Sequence, residues 1–531
     1  MPERGLSIAL ALLAVGASPL VGAPSHPRSE ASRPAARQLV DAAITALGGE
    51  ARLRAISVVR LKAMRTRNAL EQSIRPDGPY IDTVDDLVET RRFDRAALRD
   101  DLRSRGFAAA WVDGAKWITA TTLVTGGEAF ATRDGPLAPA NHASVQAAEE
   151  SLALGPERVL LTAADAADLH SEAPAMLHGF RHDVLAFTWR GSPVRLFLEP
   201  ASHMPAAVEI TRPRPEHMFW APWGDVTTRL SFDVWMIEAN GMHYPRRWTI
   251  EGNGRIAESW FVDEVAINPP DTPPLDVGAA LAAKARTTHR RIEDIALPDA
   301  ATAVALAPGI VLRPGSWNVT EVATPAGTWV IEGPIGNGYS AQVMREIAAK
   351  GQKLAGVITT SDSWPHIGGL REYVARHVPI VALDLNLSVL TRLFDAPHAQ
   401  APDRLALHPA APILRPVTGD QWLGTGQNRM RLMPFRTVTG ERQFAIWWPA
   451  HRLLYTSDLF TVSSDGSIFL PQYLEETRDL VKREQLDVKT IFGMHYGPTD
   501  WKALLARFDA KRGESPSDQL SDVGLNPPPR S

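Results

Sequence analysis

No cysteine occurs among the 531 residues, which excludes disulfides, a thiolate nucleophile, Cys-ligated zinc and any lipid joined through cysteine. The fold must therefore hold by packing alone. Neither sign of charge is in excess, at a formal net charge of -4, and no long Lys/Arg stripe runs through the chain, so there is no electrostatic footprint for nucleic acid. Long apolar runs are also missing. The best candidate, Leu6 to Val15, falls short of the roughly 20 residues that a bilayer crossing requires, and no second one follows, so no integral membrane span is expected. Internal repeats are lacking, and no Ser-x-x-Lys, Gly-x-Ser-x-Gly or P-loop pattern stands out.

What is present begins with Arg4, the apolar run and then small residues ending in Val21-Gly22-Ala23, the order of a secretory signal peptide over residues 1–23. Pro24 is unfavourable for cleavage directly after Ala23, and Ala17 offers another position. Together with the missing cysteines, this predicts a periplasmic or secreted protein. Residues 24–34, rich in Pro, Ser and Arg, read as a flexible lead-in. Leu39, Val40, Ala43, Ile44 and Leu47 recur at helical spacing and Gly48-Gly49 supplies a stop.

Beyond that helix the period changes to two. Val59, Leu61 and Ala63 alternate with Arg60 and Lys62, and the same rhythm returns in Val194-Leu196-Leu198, in Val226-Thr228-Leu230-Phe232-Val234 and in Trp248-Ile250. Such alternation predicts antiparallel strands with one buried face. The run Asn268-Pro269-Pro270-Asp271-Thr272-Pro273-Pro274 cannot continue a ladder, because proline has no N–H to donate. It places a domain boundary there, in keeping with a length well beyond the about 250 to 300 residues of a single core. The expected division is an α+β domain with a curved antiparallel sheet over 35–275, a connecting helix or linker over 276–300, an α/β layered domain over 301–511 and a disordered tail over 512–531. The segments Leu196 to Pro200, Met204 to Ile210 and Gly241 to Pro245 loosely resemble the half-barrel of lipoprotein-carrier-like periplasmic domains.

The chemistry concentrates in Thr359-Thr360-Ser361-Asp362-Ser363-Trp364-Pro365-His366-Ile367-Gly368-Gly369, a polar loop after a buried strand. It resembles the metallo-β-lactamase signature, in which Thr-His-x-His-x-Asp-His-x-Gly-Gly supplies ligands to two metals. Thr360, His366, Gly368 and Gly369 match. Ser361 and Ser363 stand where the first two histidines belong, and Pro365 replaces the aspartate. Flanking segments carry the same resemblance: a hairpin at Gly315 to Val319 and Thr328 to Pro334, a strand pair at Ala445 to Pro449 and Arg452 to Phe460, and a loop at Ile491 to Pro498. The resemblance implies an αββα sandwich, with Asp458 as the bridging aspartate and His495 as the last metal-binding histidine. It further implies a missing histidine near Arg436.

By the same resemblance, one metal position has lost every histidine, whereas the other keeps His366, Asp458 and His495. Two imidazoles and a carboxylate could hold one Zn²⁺ with a water completing the tetrahedron, which implies a hydrolase with a degenerate, at most mononuclear site. The alternative is an inactive binding or scaffold protein in which Arg436 pairs with Asp458 and closes the pocket. Asp362 and Asp384 could add an oxygen, and Trp317, Trp364, Trp422, Trp447 and Trp448 could line a pocket for a small-molecule or apolar ligand. The residues name no catalytic group, substrate or oligomeric state.

Overall fold

The computed structural model describes residues 32–512, apart from 71–77, 79, 107–116, 134, 289–290, 316, 459–460, 463–467 and 470. The expected signal peptide and nearly all of the expected tail lie outside the described residues.

A thirteen-stranded sheet, antiparallel throughout, takes up residues 58–267. Its central strand is the last, Arg255–Ile267, and beside it lies the first, Val58–Ala69, which pairs with Ile81–Arg92 on its other side. From the first strand the chain works outward by hairpins to the edge at Ala138–Pro139. It crosses through the helices Ala143–Leu154 and Val159–Asp165, enters the opposite edge at His170–Leu177 and returns by hairpins. The alternation of apolar side chains explains which face is covered. Val59, Leu61, Ala63, Leu196, Leu198 and Trp248 are buried in one cluster with Val40, Ala43 and Ile44 of the helix Ser32–Leu47.

One expected inward position points elsewhere. Val234 is 60% exposed and takes φ 56°, a local left-handed turn of the backbone at which the ladder passes from Asp233↔Arg247 to Trp235↔Pro245 without a change of register. Beyond it, Trp235 rather than Val234 packs with Phe232 against the sheet's core. The expected linker helix forms at Ala279–Thr288, but it lies on the sheet, with Ala285 and Leu275 packed against Ala97, Leu123 and Phe130.

Residues 304–500 contain two larger sheets, of seven and six strands, and a two-stranded one that pairs Thr461–Val462 with Ile468–Phe469. The two larger sheets face each other through a shared core that includes Val322, Ile331 and Ile358 of the first and Ile446, Trp448 and Phe492 of the second. The helices Asn337–Ala349, Leu370–Ala375 and Leu387–Phe394 cover the outer face of the seven-stranded sheet. Pro471–Arg483 and Trp501–Arg512 cover that of the other. Apolar side chains on both faces account for the continuous hydrophobic reading of strands such as Leu354–Thr359, which runs parallel to its neighbours.

The thirteen-stranded sheet is anchored to these layers at one corner. Trp223 and Val226 insert into the helix-side core beside Val319 and Val330, and the Asp225 carboxylate accepts the backbone N–H groups of Ala399 at 2.8 Å and Gln400 at 3.1 Å. Gly224 has φ +65°, and a Cβ there would lie 2.1 Å from the Pro397 carbonyl oxygen. Gly224→Ala is expected to lower unfolding stability by about 2–4 kcal/mol, combining backbone strain with a clash that only backbone movement relieves. Gly127→Ala is the comparison. Its φ is +77° but nothing lies within 4 Å, so it should cost only about 1 kcal/mol. Equal urea midpoints for the two variants would show that the corner yields freely.

Candidate functional site

Glu332, His366, Asp458 and His495 come together in a row at the ends of neighbouring strands. Glu332 follows the buried strand Gly327–Ile331 and is fully buried itself. Its carboxylate accepts the Thr360 N–H at 3.3 Å, the Thr360 hydroxyl and the Tyr455 hydroxyl at 2.8 Å. Thr360 in turn lies 2.7 Å from the Ser457 hydroxyl, so the two chain segments that flank the site are tied through one carboxylate. Glu332 lies within the segment Thr328 to Pro334 that carries part of the resemblance, but it was not among the expected site residues. Its signal was available: an acid directly after a run of apolar residues needs several donors to be buried.

His366 sits on the short helical segment Trp364–Ile367, just before Gly368-Gly369. Its Nδ1 is 2.8 Å from Glu332 Oε2 and its Nε2 is 3.6 Å from Asp458 Oδ2. Neither nitrogen is aimed along a hydrogen bond, so charge rather than directed bonding carries the attraction. Burial disfavours the charged ring, but the two carboxylates outweigh it and raise the His366 pKa to about 10. Asp458 also meets His495, with His495 Nε2 2.7 Å from Oδ1. Burial would push the Asp458 carboxyl up, and the two imidazoles overcome this and hold it well below the usual carboxylate range. The loop that presents His495 is fixed by Asn318, whose amide donates to the carbonyls of Gly493 at 3.0 Å and Tyr496 at 3.2 Å.

The arginine expected to close the site lies elsewhere. Arg436, with φ 50°, donates to Asp384 at 2.8 Å and to the Thr418 carbonyl at 3.3 Å, not to Asp458. A second arginine, Arg442, takes Asp362 at 2.6 Å. Both aspartates considered as extra oxygen ligands are thus engaged by guanidinium groups. Ser361 and Ser363 are small enough for the loop to turn back on itself: Ser361 Oγ accepts the Ser363 N–H at 3.3 Å, and the Thr359 hydroxyl donates to the Ser361 carbonyl at 2.9 Å.

As donors for zinc, these residues do not fit in the arrangement observed. Among the described residues no group of three or more His, Asp or Glu side chains is placed to hold a metal ion. A metal must also displace the proton from His366. The two carboxylates hold that proton on the ring, and the competition weakens metal binding at neutral pH.

A cavity of about 700 Å³ lies between the thirteen-stranded sheet and the loop that carries Trp364 and Pro365. Val208, Ile210, Leu230 and Ile250 form its floor, and Trp364 and Pro365 close it from the loop. Trp364 meets Trp317 edge-on at 5.1 Å between ring centres, and both line the cavity. Of the other tryptophans expected there, Trp447 and Trp448 are buried in the cores on either side of the six-stranded sheet, and Trp422 is 50% exposed with Arg429 over its ring. Phe219 and Trp220 line it as well. They were not legible as a site, because their segment carries no periodic pattern.

No protein-family model matches the chain, and no curated protein does. Among solved structures, the DIM-1 metallo-β-lactamase is 13% identical, covering 42% of this chain and 97% of its own at a TM-score of 0.29. A metallo-β-lactamase from Pontibacter korlensis is 13% identical over 40% of this chain and 99% of its own, at 0.30. One from Erythrobacter litoralis is 15% identical over 40% and 96%, also at 0.30.

Proposed function

We propose that this chain is an exported binding protein of two domains, divided at 268–274, in which a metallo-β-lactamase-like αββα sandwich no longer serves hydrolysis. Its N-terminal half-barrel-like sheet and the former metal loop together enclose a small apolar ligand. The observation that carries this reading is the cavity itself: Pro365, at the position of a lost metal-binding aspartate, forms part of its wall. A volume of about 700 Å³ lies within the roughly 300–1,000 Å³ of small-molecule sites. Export to the periplasm or medium is supported by the order of residues in 1–23 and by the absence of cysteine.

The neutral apolar dye N-phenyl-1-naphthylamine tests the reading. Saturable binding is expected, with Ile250→Trp, which fills the cavity from its floor, weakening it at least about tenfold, a change of about 1.4 kcal/mol. Absence of saturable binding would sink the proposal.

A hydrolase with one zinc ion on His366, Asp458 and His495 is the second reading. It is favoured by one observation, that the Nε2 atoms of both histidines face the same carboxylate. Incubation with equimolar zinc followed by desalting separates the two. The expected retention is below about 0.1 equivalent, given the competing proton, and His495→Ala should leave it unchanged. Near-stoichiometric zinc that is lost in His495→Ala would reverse the order of the readings.

A further inference from the structure

The cavity's polar groups restrict what its ligand can be. This step rests on the cavity being a binding site, and it concerns the end of the ligand that meets those groups. Most of the charges around the cavity are already engaged by the protein. Arg67 forms a two-pronged pair with Asp85 at 2.7 and 3.0 Å, and Arg214 donates to Glu150 at 2.8 Å and to the Thr228 hydroxyl at 2.6 Å. Glu258 accepts the Trp260 indole N–H at 2.9 Å and lies 3.8 Å from Arg65. Asp82 adds a carboxylate to the lining. An anionic ligand would meet no uncommitted guanidinium, and burying its charge without a partner costs several kcal/mol.

Two neutral groups are placed differently. Gln146, on the helix Ala143–Leu154, spends its amide N–H on the Pro213 carbonyl at 3.0 Å, while its Oε1 is buried without a hydrogen-bond partner. His217 accepts the backbone N–H groups of Phe219 at 3.2 Å and Trp220 at 3.3 Å on Nδ1. That leaves its proton on Nε2 as a donor. Burial, with Arg214 nearby, lowers the His217 pKa to about 4, so the ring is neutral at pH 7 and keeps this tautomer. Both residues line the cavity.

We infer that the ligand is an uncharged amphiphile: an apolar body bearing one head that both donates and accepts, an alcohol or a primary amide, received by Gln146 Oε1 and His217 Nε2–H. The apolar floor and the tryptophans take the body. The head replaces the water that would otherwise satisfy the two groups.

A ten-carbon series titrated calorimetrically into the full-length protein at pH 7.4 tests the inference: 1-decanol, decanamide, decanoate, decylamine and decane. Decanol and decanamide are expected to bind at least about tenfold more tightly than the two charged compounds. Gln146→Leu and His217→Phe should each weaken decanol about three- to tenfold, the range of one neutral hydrogen bond, and leave decane unchanged. The ligand series needs no variant, so it stays decisive if His217→Phe does not fold. Decanoate or decylamine binding as tightly as decanol would overturn the uncharged head. Decane binding as tightly as decanol would overturn head recognition while leaving the cavity as an apolar site. If no compound binds, both the head assignment and the proposed binding function fall.

Discussion

Glu332→Ala is expected to lower unfolding stability by about 3–5 kcal/mol, the cost of leaving a buried charge without its partner. The carboxylate is fully buried, accepts from Thr360 and Tyr455 and faces His366 Nδ1 at 2.8 Å. Removing it strands three donors at once. Glu332→Gln keeps the shape and an acceptor oxygen for Tyr455, so it should cost less, and the difference between the two variants reports the charge alone. Urea midpoints for both, converted with a common m-value, are the measurement. A change below about 1 kcal/mol for Glu332→Ala would mean that the His366 ring is neutral and that no ionic row exists there.

Stability should also fall on the alkaline side, between about pH 6.5 and pH 10. The His366 pKa is raised to about 10 in the folded protein from about 6.5 in an unfolded chain. Its contribution is therefore fully present below pH 6.5 and is lost as pH rises through 10, with a slope of up to about 1.4 kcal/mol per unit. Asp458 works in the opposite sense. Its carboxyl is held below the usual range, so its contribution is present above about pH 3.9 and is lost only as pH falls through the depressed folded value. Between these limits the row adds no pH dependence. His366→Gln should flatten the alkaline slope, measured as urea midpoints at pH 6, 8 and 10. Parallel slopes for the variant and the parent chain would assign the loss to other groups.

Much of the layering was legible because it rests on periodicity. Alternation in Val59-Leu61-Ala63 and in Val194-Leu196-Leu198 marks strands whose alternate residues are buried, and the same rule fails at Val234 because its backbone leaves the extended region at φ 56°. The order of the sheet was not legible. Nothing in the run of hairpins says that the last strand lies at the centre, paired with the first. At the site, motif comparison drew attention to His366, Asp458 and His495, which do meet, but not to the carboxylate behind His366. It also misplaced Arg436, since a guanidinium goes to whichever carboxylate its backbone lets it reach, and φ 50° aims it at Asp384. Of the cavity, only Trp317 and Trp364 were legible. Its walls come from residues as far apart as Gln146 and Trp364, and no local pattern marks such a surface.

The pairing of Val58–Ala69 with Arg255–Ile267 has a consequence for the order in which the molecule assembles. Each arm of the sheet is built from neighbouring hairpins and can form early, but the seam between the arms joins residues about 200 positions apart, a closure that is slow on the scale of local pairing. Until Ile267 has emerged, the strand Val58–Ala69 has only one neighbour. At synthesis rates of about 5–20 residues per second its second edge stays open for some 10–40 seconds. The first strand to be made is thus among the last to be completed, and it is the interval before closure, more than any property of the finished sheet, in which this chain is most exposed to pairing with the wrong partner.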